Sequence, residues 1–314
     1  MCGISGYLNL DKKPTNHFVL EKMAKIMSHR GPDDFGIFQD KEVGLSHTRL
    51  SIIDLSANGK QPMETDDARY IISYNGIIFN FQELRLDLEK KGWKFKSHSD
   101  TEVILKAVVE WGPKIISKFN GQFAFAIWDK KERSLLLARD RYGIKPLYVF
   151  RDHNKLIFGS EIKALMCHPD LTSSINKKGL FEYLTFQNFL SEQTLFKNVN
   201  IVPAGTYLKI NSDNKITEHR YWDFNFNDPK DKNPVFQEYK DECEFLLNKA
   251  IKRQLVSDVE IGCYLSGGMD SGVITSIASK YLKYLRSFTC GFDVSSSSGI
   301  ERGMDERENA ELMS

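Results

Sequence analysis

The chain has 314 residues, 41% hydrophobic, 12% aromatic and 27% charged, which is enough apolar material for two cores in an ordinary globular protein. Its 43 Lys and Arg offset 42 Asp and Glu to a net charge of +1, so its charge calls for neither nucleic acid nor an anionic membrane, and its substrates are expected to be small. Five cysteines (2, 167, 243, 263 and 290), with no CxxC pair and no metal-like spacing, read as reduced thiols in a cytoplasmic protein. No apolar run approaches the ~20 residues of a membrane helix, and no signal-type segment opens the chain.

In chain order, short β-like runs, several ended by Asn, Asp or Gly, predict strands at 3–10, 35–39, 43–49, 70–74, 122–129, 134–139 and 155–160. Helical spacing marks 81–91 and 101–111, the latter with Asp100 as its N-cap. Antiparallel sheet is the expectation. A helix near 177–186 and strands at 206–210 and 215–221 complete this part, and 225–234, with two prolines, reads as a linker. Then the grammar changes: an amphipathic helix (236–255), an apolar strand (259–265), a Gly-rich turn, a helix (272–282) and a strand (287–292) open a parallel α/β domain. A serine loop (295–298) and a short helical start (305–314) follow, so the second domain reads as incomplete. Trp93, Trp111 and Trp128 are most simply core aromatics, and the cysteines after Cys2 most simply buried apolar residues.

Two places carry chemistry. Cys2 follows Met1, and losing Met1 would leave a thiol and a free α-amine on one residue, a nucleophile with its own base. The plain alternative is a small residue opening a strand. Between apolar strand and helix, the turn Ser266-Gly267-Gly268-Met269-Asp270-Ser271 offers backbone amides and a helix N-terminus to phosphate oxygens, with Asp270 as a candidate Mg²⁺ ligand. It lacks the lysine of a GxxxxGK[ST] loop.

With these motifs stand His29-Arg30-Gly31-Pro32-Asp33, Arg49-Leu50-Ser51-Ile52, Gln61-Pro62, Asn75-Gly76, Ser99-Asp100-Thr101-Glu102, Gly121 to Ala126, Ala138 to Tyr148 and Ser160-Glu161. In this order the chain resembles glutamine-hydrolysing asparagine synthetases, which join a class II glutamine amidotransferase domain to an ATP-pyrophosphatase domain. The resemblance implies an α+β N-terminal-nucleophile amidohydrolase sandwich (αββα) over 1–210, a connecting strand and linker over 211–234, and the start of a parallel-sheet ATP-binding domain over 235–314. It implies Cys2 as nucleophile and Asn75 with the Gly76 N–H as oxyanion donors. Arg49, Leu50, Ile52, Ile53, Asn75, Gly76, Ile77 and Asp100 would bind glutamine, Arg49 taking the α-carboxylate and Asp100 the α-ammonium. Leu265, Ser266, Gly267, Gly268, Asp270, Ser271 and Cys290 would bind ATP, with Mg²⁺ at Asp270.

The chain departs from the family pattern at Ile77, where a glutamate normally adds a second carboxylate at the ammonium, and at Gly272, where a serine often stands. The expected activity is glutamine hydrolysis at Cys2, with ammonia passed to an aspartyl adenylate made from ATP and aspartate. The 314 residues alone would at most hydrolyse glutamine. Two alternatives stand beside this: an amidotransferase acting on another carboxylate, such as a sugar acid, and a non-catalytic binding module. The resemblance also leaves a homodimer open. Arg30, Asp33 and the run Arg139-Asp140-Arg141 are expected to form loop-organising ion pairs.

Overall fold

The computed structural model describes residues 1–226, 235–291 and 305–314. Most of the expected linker and the whole serine loop lie outside the described residues. The chain divides into two compact units, Met1–Phe224 and Asn225–Ser314.

The first unit opens with β1 (Gly3–Asn9), α1 (His17–Lys25), β2 (Asp34–Asp40), β3 (Val43–Arg49), β4 (Met63–Glu64) and β5 (Tyr70–Ile78). There follow α2 (Phe81–Lys90), α3 (Asp100–Trp111), β6 (Gly121–Asp129), β7 (Ser134–Arg139), β8 (Tyr148–Arg151) and β9 (Lys155–Gly159). It closes with α4 (Ile162–Leu165), α5 (Lys177–Phe186), β10 (Val199–Ile201), β11 (Thr206–Ile210) and β12 (Ile216–Arg220). Two antiparallel sheets result, in the orders β10-β8-β9-β1-β3-β2 and β12-β11-β7-β6-β5-β4. The unit runs past the expected end at 210 because β12 pairs with β11 as the edge of the second sheet.

Alternation along the strands decides the layers. Ile4, Leu8, Leu45 and Phe158 of the first sheet meet Ile71, Ala126, Trp128, Leu137 and Ile210 of the second in one buried core. Burying each large side chain there stabilises by roughly 1.5–3 kcal/mol. The other face of the first sheet, with Tyr7 and Ile157, takes Val19, Leu20 and Met23 of α1 and Leu165 of α4. Helix α3 packs on β5 and on α2, burying Val103, Ile104, Leu105 and Ala107. The order is helix, sheet, sheet, helix.

The second unit contains α6 (Phe236–Gln254), β13 (Gly262–Tyr264), α7 (Met269–Ser279), β14 (Arg286–Phe288) and α8 (Arg307–Met313). Strands β13 and β14 pair in parallel, as the β-α-β grammar requires. Their core is small: Ile251, Ile277 and Ala278 are buried, with Leu255, Cys263 and Leu285 against them.

Three expectations change. Trp128 is fully buried, but Trp93 and Trp111 are only half-buried, and Trp93 Nε1 donates to Glu110 Oε2 at 3.0 Å. None of the cysteines after Cys2 is buried: Cys167 and Cys263 are intermediate, while Cys243 and Cys290 are exposed. Cys243 lies on α6, a helix in which Ile251 alone is buried. Asp100 is the first residue of α3 and not its cap; Ser99 takes that place, its Oγ accepting from the Thr101 N–H at 3.1 Å.

Candidate active site

Strand β1 starts immediately after Cys2 and pairs with β3, which ends at Arg49. This register brings Cys2 beside Leu50, whose N–H points at Sγ from 3.4 Å while the thiol faces the Leu50 carbonyl at 3.6 Å. Arg30 Nε donates to the Cys2 carbonyl at 3.0 Å, fixing the backbone. Burial pushes the Cys2 thiol up from its ordinary pKa, only partly opposed by the Leu50 N–H and the chain's amino group. Such a thiol needs a base. Burial also lowers the pKa of the α-amine, which here belongs to Met1.

Asn75 and Gly76 lie on β5. Strand β4 pairs only with Ile71 and Ile72, so beyond them this edge of β5 has no strand beside it among the described residues. Asn75 is 1% exposed, and its Nδ2 has no hydrogen-bond partner among the described residues. A buried donor left unpaired costs about 1–3 kcal/mol, which marks it as a group kept for a ligand. Gly76 is required by the sheet: a Cβ there would meet the Gln122 carbonyl oxygen at 2.1 Å.

Arg49 is 7% exposed, and among the described residues no carboxylate lies within ion-pair distance of it. Carbonyls hold the guanidinium instead: Nη1 donates to Ser56 at 3.0 Å and Nη2 to Asp54. Gly59 lies flush against it, since a Cβ there would meet Nη2 at 2.2 Å. Asp100 is the opposite charge in the same condition. It is 4% exposed, accepts from Tyr74 Oη at 2.7 Å and the Ile78 N–H at 3.0 Å, and burial pushes it up to about 6 despite those bonds.

These groups line one cavity of about 240 Å³, a size suited to an amino acid and small for a nucleotide. Cys2, Arg49, Leu50, Ile52, Ile53, Asn75, Gly76, Ile77 and Asp100 all face it, so every residue expected at the glutamine site converges. Gln61, Tyr74 and Lys145 join them. Gln61 accepts from the Tyr74 N–H at 2.7 Å and donates to Thr101 Oγ1 at 3.2 Å, linking β5 to α3. Lys145 Nζ meets Met1 Sδ at 3.0 Å, and burial lowers its pKa. Gln61 and Lys145 stood in motifs and Tyr74 at the end of a predicted strand, but roles set by distant partners were not visible in the sequence.

The expected ion pairs are only partly present. Arg30 pairs with Glu161 at 3.0 Å, and Glu161 is held at about 2 by that arginine, Lys163 and His29, which outweigh its burial. Arg139 instead donates to the carbonyls of Lys145, Val202 and Gly143, while Asp140 accepts the N–H groups of Phe123, Tyr142, Ile144 and Lys145. Asp33 accepts the Ser51 N–H. Backbone groups organise these loops.

In the second unit residues 265–268 join β13 to α7, which starts at Met269, three residues before the expected 272, so that Asp270 and Ser271 stand in its first turn. Ser271 Oγ accepts from the Ser266 N–H at 3.0 Å, and Ser266 Oγ accepts from the Gly268 N–H at 3.2 Å, so the serines brace the turn. The buried Leu265 has its N–H on the Phe288 carbonyl and its own carbonyl on Thr289 Oγ1. Asp270 and Cys290 are exposed. Glycine and serine donors before an eleven-residue helix suit phosphate oxygens. Among the described residues no group of three or more His, Cys, Asp or Glu could hold a metal, so Mg²⁺ at Asp270 would need phosphate and water as further ligands.

The fold of the first unit is that of the N-terminal-nucleophile amidohydrolases. A solved structure of glutamine phosphoribosylpyrophosphate amidotransferase from Bacillus subtilis, complexed with ADP and GMP, covers 96% of this chain and 70% of its own at a TM-score of 0.52 and 17% identity. Residues 1–222 match the model of the glutamine amidotransferase domain family, and residues 242–314 match that of asparagine synthase. Asparagine synthetase [glutamine-hydrolyzing] 1 of Bacillus subtilis is 36% identical over 96% of this chain and 47% of its own length. A putative asparagine synthetase [glutamine-hydrolyzing] 2 of Methanocaldococcus jannaschii is 35% identical over 93% of this chain and 60% of its own. The chain belongs to the glutamine-hydrolysing asparagine synthetase family, and it spans about half the length of the curated relatives it matches.

Proposed function

We propose that the first unit hydrolyses glutamine to glutamate and ammonia at Cys2. The observation that carries this is a single cavity holding a thiol, an unsatisfied buried amide, and a buried cation and carboxylate that are not paired with each other. A zwitterionic amino acid supplies what both charges lack: its carboxylate for Arg49 and its ammonium for Asp100.

Once Met1 is removed, the α-amine of Cys2 takes the thiol proton, and Sγ attacks the side-chain carbonyl carbon of glutamine. The oxygen becomes an oxyanion between Asn75 Nδ2 and the Gly76 N–H. Collapse breaks the C–N bond, the proton passes to nitrogen, and ammonia leaves a thioester. Water then attacks the thioester, releasing glutamate and restoring the thiol. In the whole protein the ammonia would meet an aspartyl adenylate, giving asparagine, AMP and pyrophosphate. The stretch from Ser266 to Ser271 would take the ATP phosphates, Leu265 would touch the nucleotide through its backbone, Asp270 would take the Mg²⁺ and Cys290 the base.

The test is glutamate release from glutamine by wild type and Cys2→Ala, with asparagine and pyrophosphate measured in the full-length protein supplied with ATP, Mg²⁺ and aspartate. Glutaminase activity that survives Cys2→Ala refutes the first half. Glutaminase without asparagine in the full-length protein refutes the second.

A further inference from the structure

Asp54 does not line the cavity, yet it is bonded to both sides of it. Its φ of 56° is left-handed, a conformation that Asp tolerates better than most residues, and it turns the carbonyl toward Arg49 Nη2. The carboxylate is 6% exposed and works in two directions. Oδ1 accepts from the N–H and hydroxyl of Ser56, whose own carbonyl holds Arg49 Nη1. Oδ2 accepts from the His98 N–H at 2.8 Å, across 44 residues of chain. His98 lies two residues before Asp100. Asn58 adds a parallel tie, its Nδ2 donating to the Lys96 carbonyl at 3.2 Å. A local turn with Ser56 alone would leave Oδ2 facing solvent; here it is spent on a distant loop.

We infer that Asp54 is a positioning residue that fixes the separation between the Arg49 guanidinium and the Asp100 carboxylate, and so makes the cavity select an α-amino acid over an amide lacking the ammonium. The inference rests on the reading of Arg49 and Asp100 as the two poles of the glutamine site. An ammonium and a carboxylate on one carbon are held at a set distance, so two receiving groups on separate loops must be locked together to engage both.

The experiment compares wild type, Asp54→Gly and Asp54→Asn on glutamine and on the monoamide of glutaric acid, which has no α-ammonium. Glycine keeps the left-handed φ and the carbonyl for Arg49 but removes the carboxylate; asparagine keeps one acceptor. Asp54→Gly should raise KM for glutamine about tenfold with kcat within about twofold, while kcat/KM for the monoamide stays level. Asp54→Asn should fall between. In the same variants the His98 amide should lose hydrogen-exchange protection. An unchanged glutamine KM, or an equal loss on both amides, overturns the inference. Should wild type hydrolyse neither amide, the reading of the site has failed instead, and exchange at His98 decides the clasp alone: protection retained in Asp54→Gly overturns it.

Discussion

Tyr74 donates a 2.7 Å hydrogen bond to the Asp100 carboxylate, beside which no cation stands among the described residues. The bond is not enough: burial still raises the Asp100 pKa from 3.8 to about 6. A folded pKa above the unfolded one means that the native state holds its proton longer. Stability from this group is therefore present at low pH and lost as pH rises from about 4 through about 6. The ionised form is what an ammonium would need, so KM for glutamine should fall as pH rises through about 6.

Asp100→Asn divides these effects. It should weaken glutamine by about 3 kcal/mol or more, because the bound ammonium would be buried without a counter-charge. Thermal melts should move the other way, the variant gaining on wild type between about pH 4 and about pH 7. Steady-state kinetics and melting curves over that range check both, and a variant that loses stability as pH rises would refute the burial argument.

Asn75→Ala should lower kcat for glutamine about 100- to 1000-fold, the usual effect of removing one oxyanion donor. Because Nδ2 has no partner among the described residues, the same variant should melt no lower than wild type. A kcat near wild type would remove Asn75 from the chemistry.

Ile77 is half-buried and faces the cavity. A glutamate there would add a second carboxylate near the ammonium, so Ile77→Glu should lower KM for glutamine by about 1 kcal/mol or more with kcat little changed. An unchanged or raised KM means that residue 77 does not approach the ammonium.

Cys2→Ala should abolish glutamate release, and protein that retains Met1 should release none either, since its amine is not on Cys2 and its thiol is held protonated by burial. Intact mass measured beside activity decides this. Activity that does not rise with the fraction lacking Met1 counts against the amine as base.

Much of the fold was legible because strands covered on both faces read as nearly continuous apolar runs, as in β1, β6 and β7. Elements too short to show a period escaped: β4 has two residues, β10 three and β8 four. Helix α1 escaped too, its stripe of Val19, Leu20, Met23 and Ala24 spanning little more than one turn. At the site, residues that carry chemistry themselves stood out by motif. Roles exerted through other residues did not, since Asp54 finds His98 and Gln61 finds Thr101 only after folding. The choice between Ser99 and Asp100 as cap was not legible: Ser99 keeps the extended backbone of a cap and its Oγ accepts from the Thr101 N–H, while Asp100 is already helical and its carboxylate accepts from Tyr74.

Met1 forms part of the cavity wall, its thioether against Lys145. On the proposed chemistry that wall is temporary. A freshly folded chain would be silent toward glutamine until an aminopeptidase had trimmed it, so the onset of activity would be timed by processing and not by folding. Copies that keep Met1 would then leave glutamine untouched.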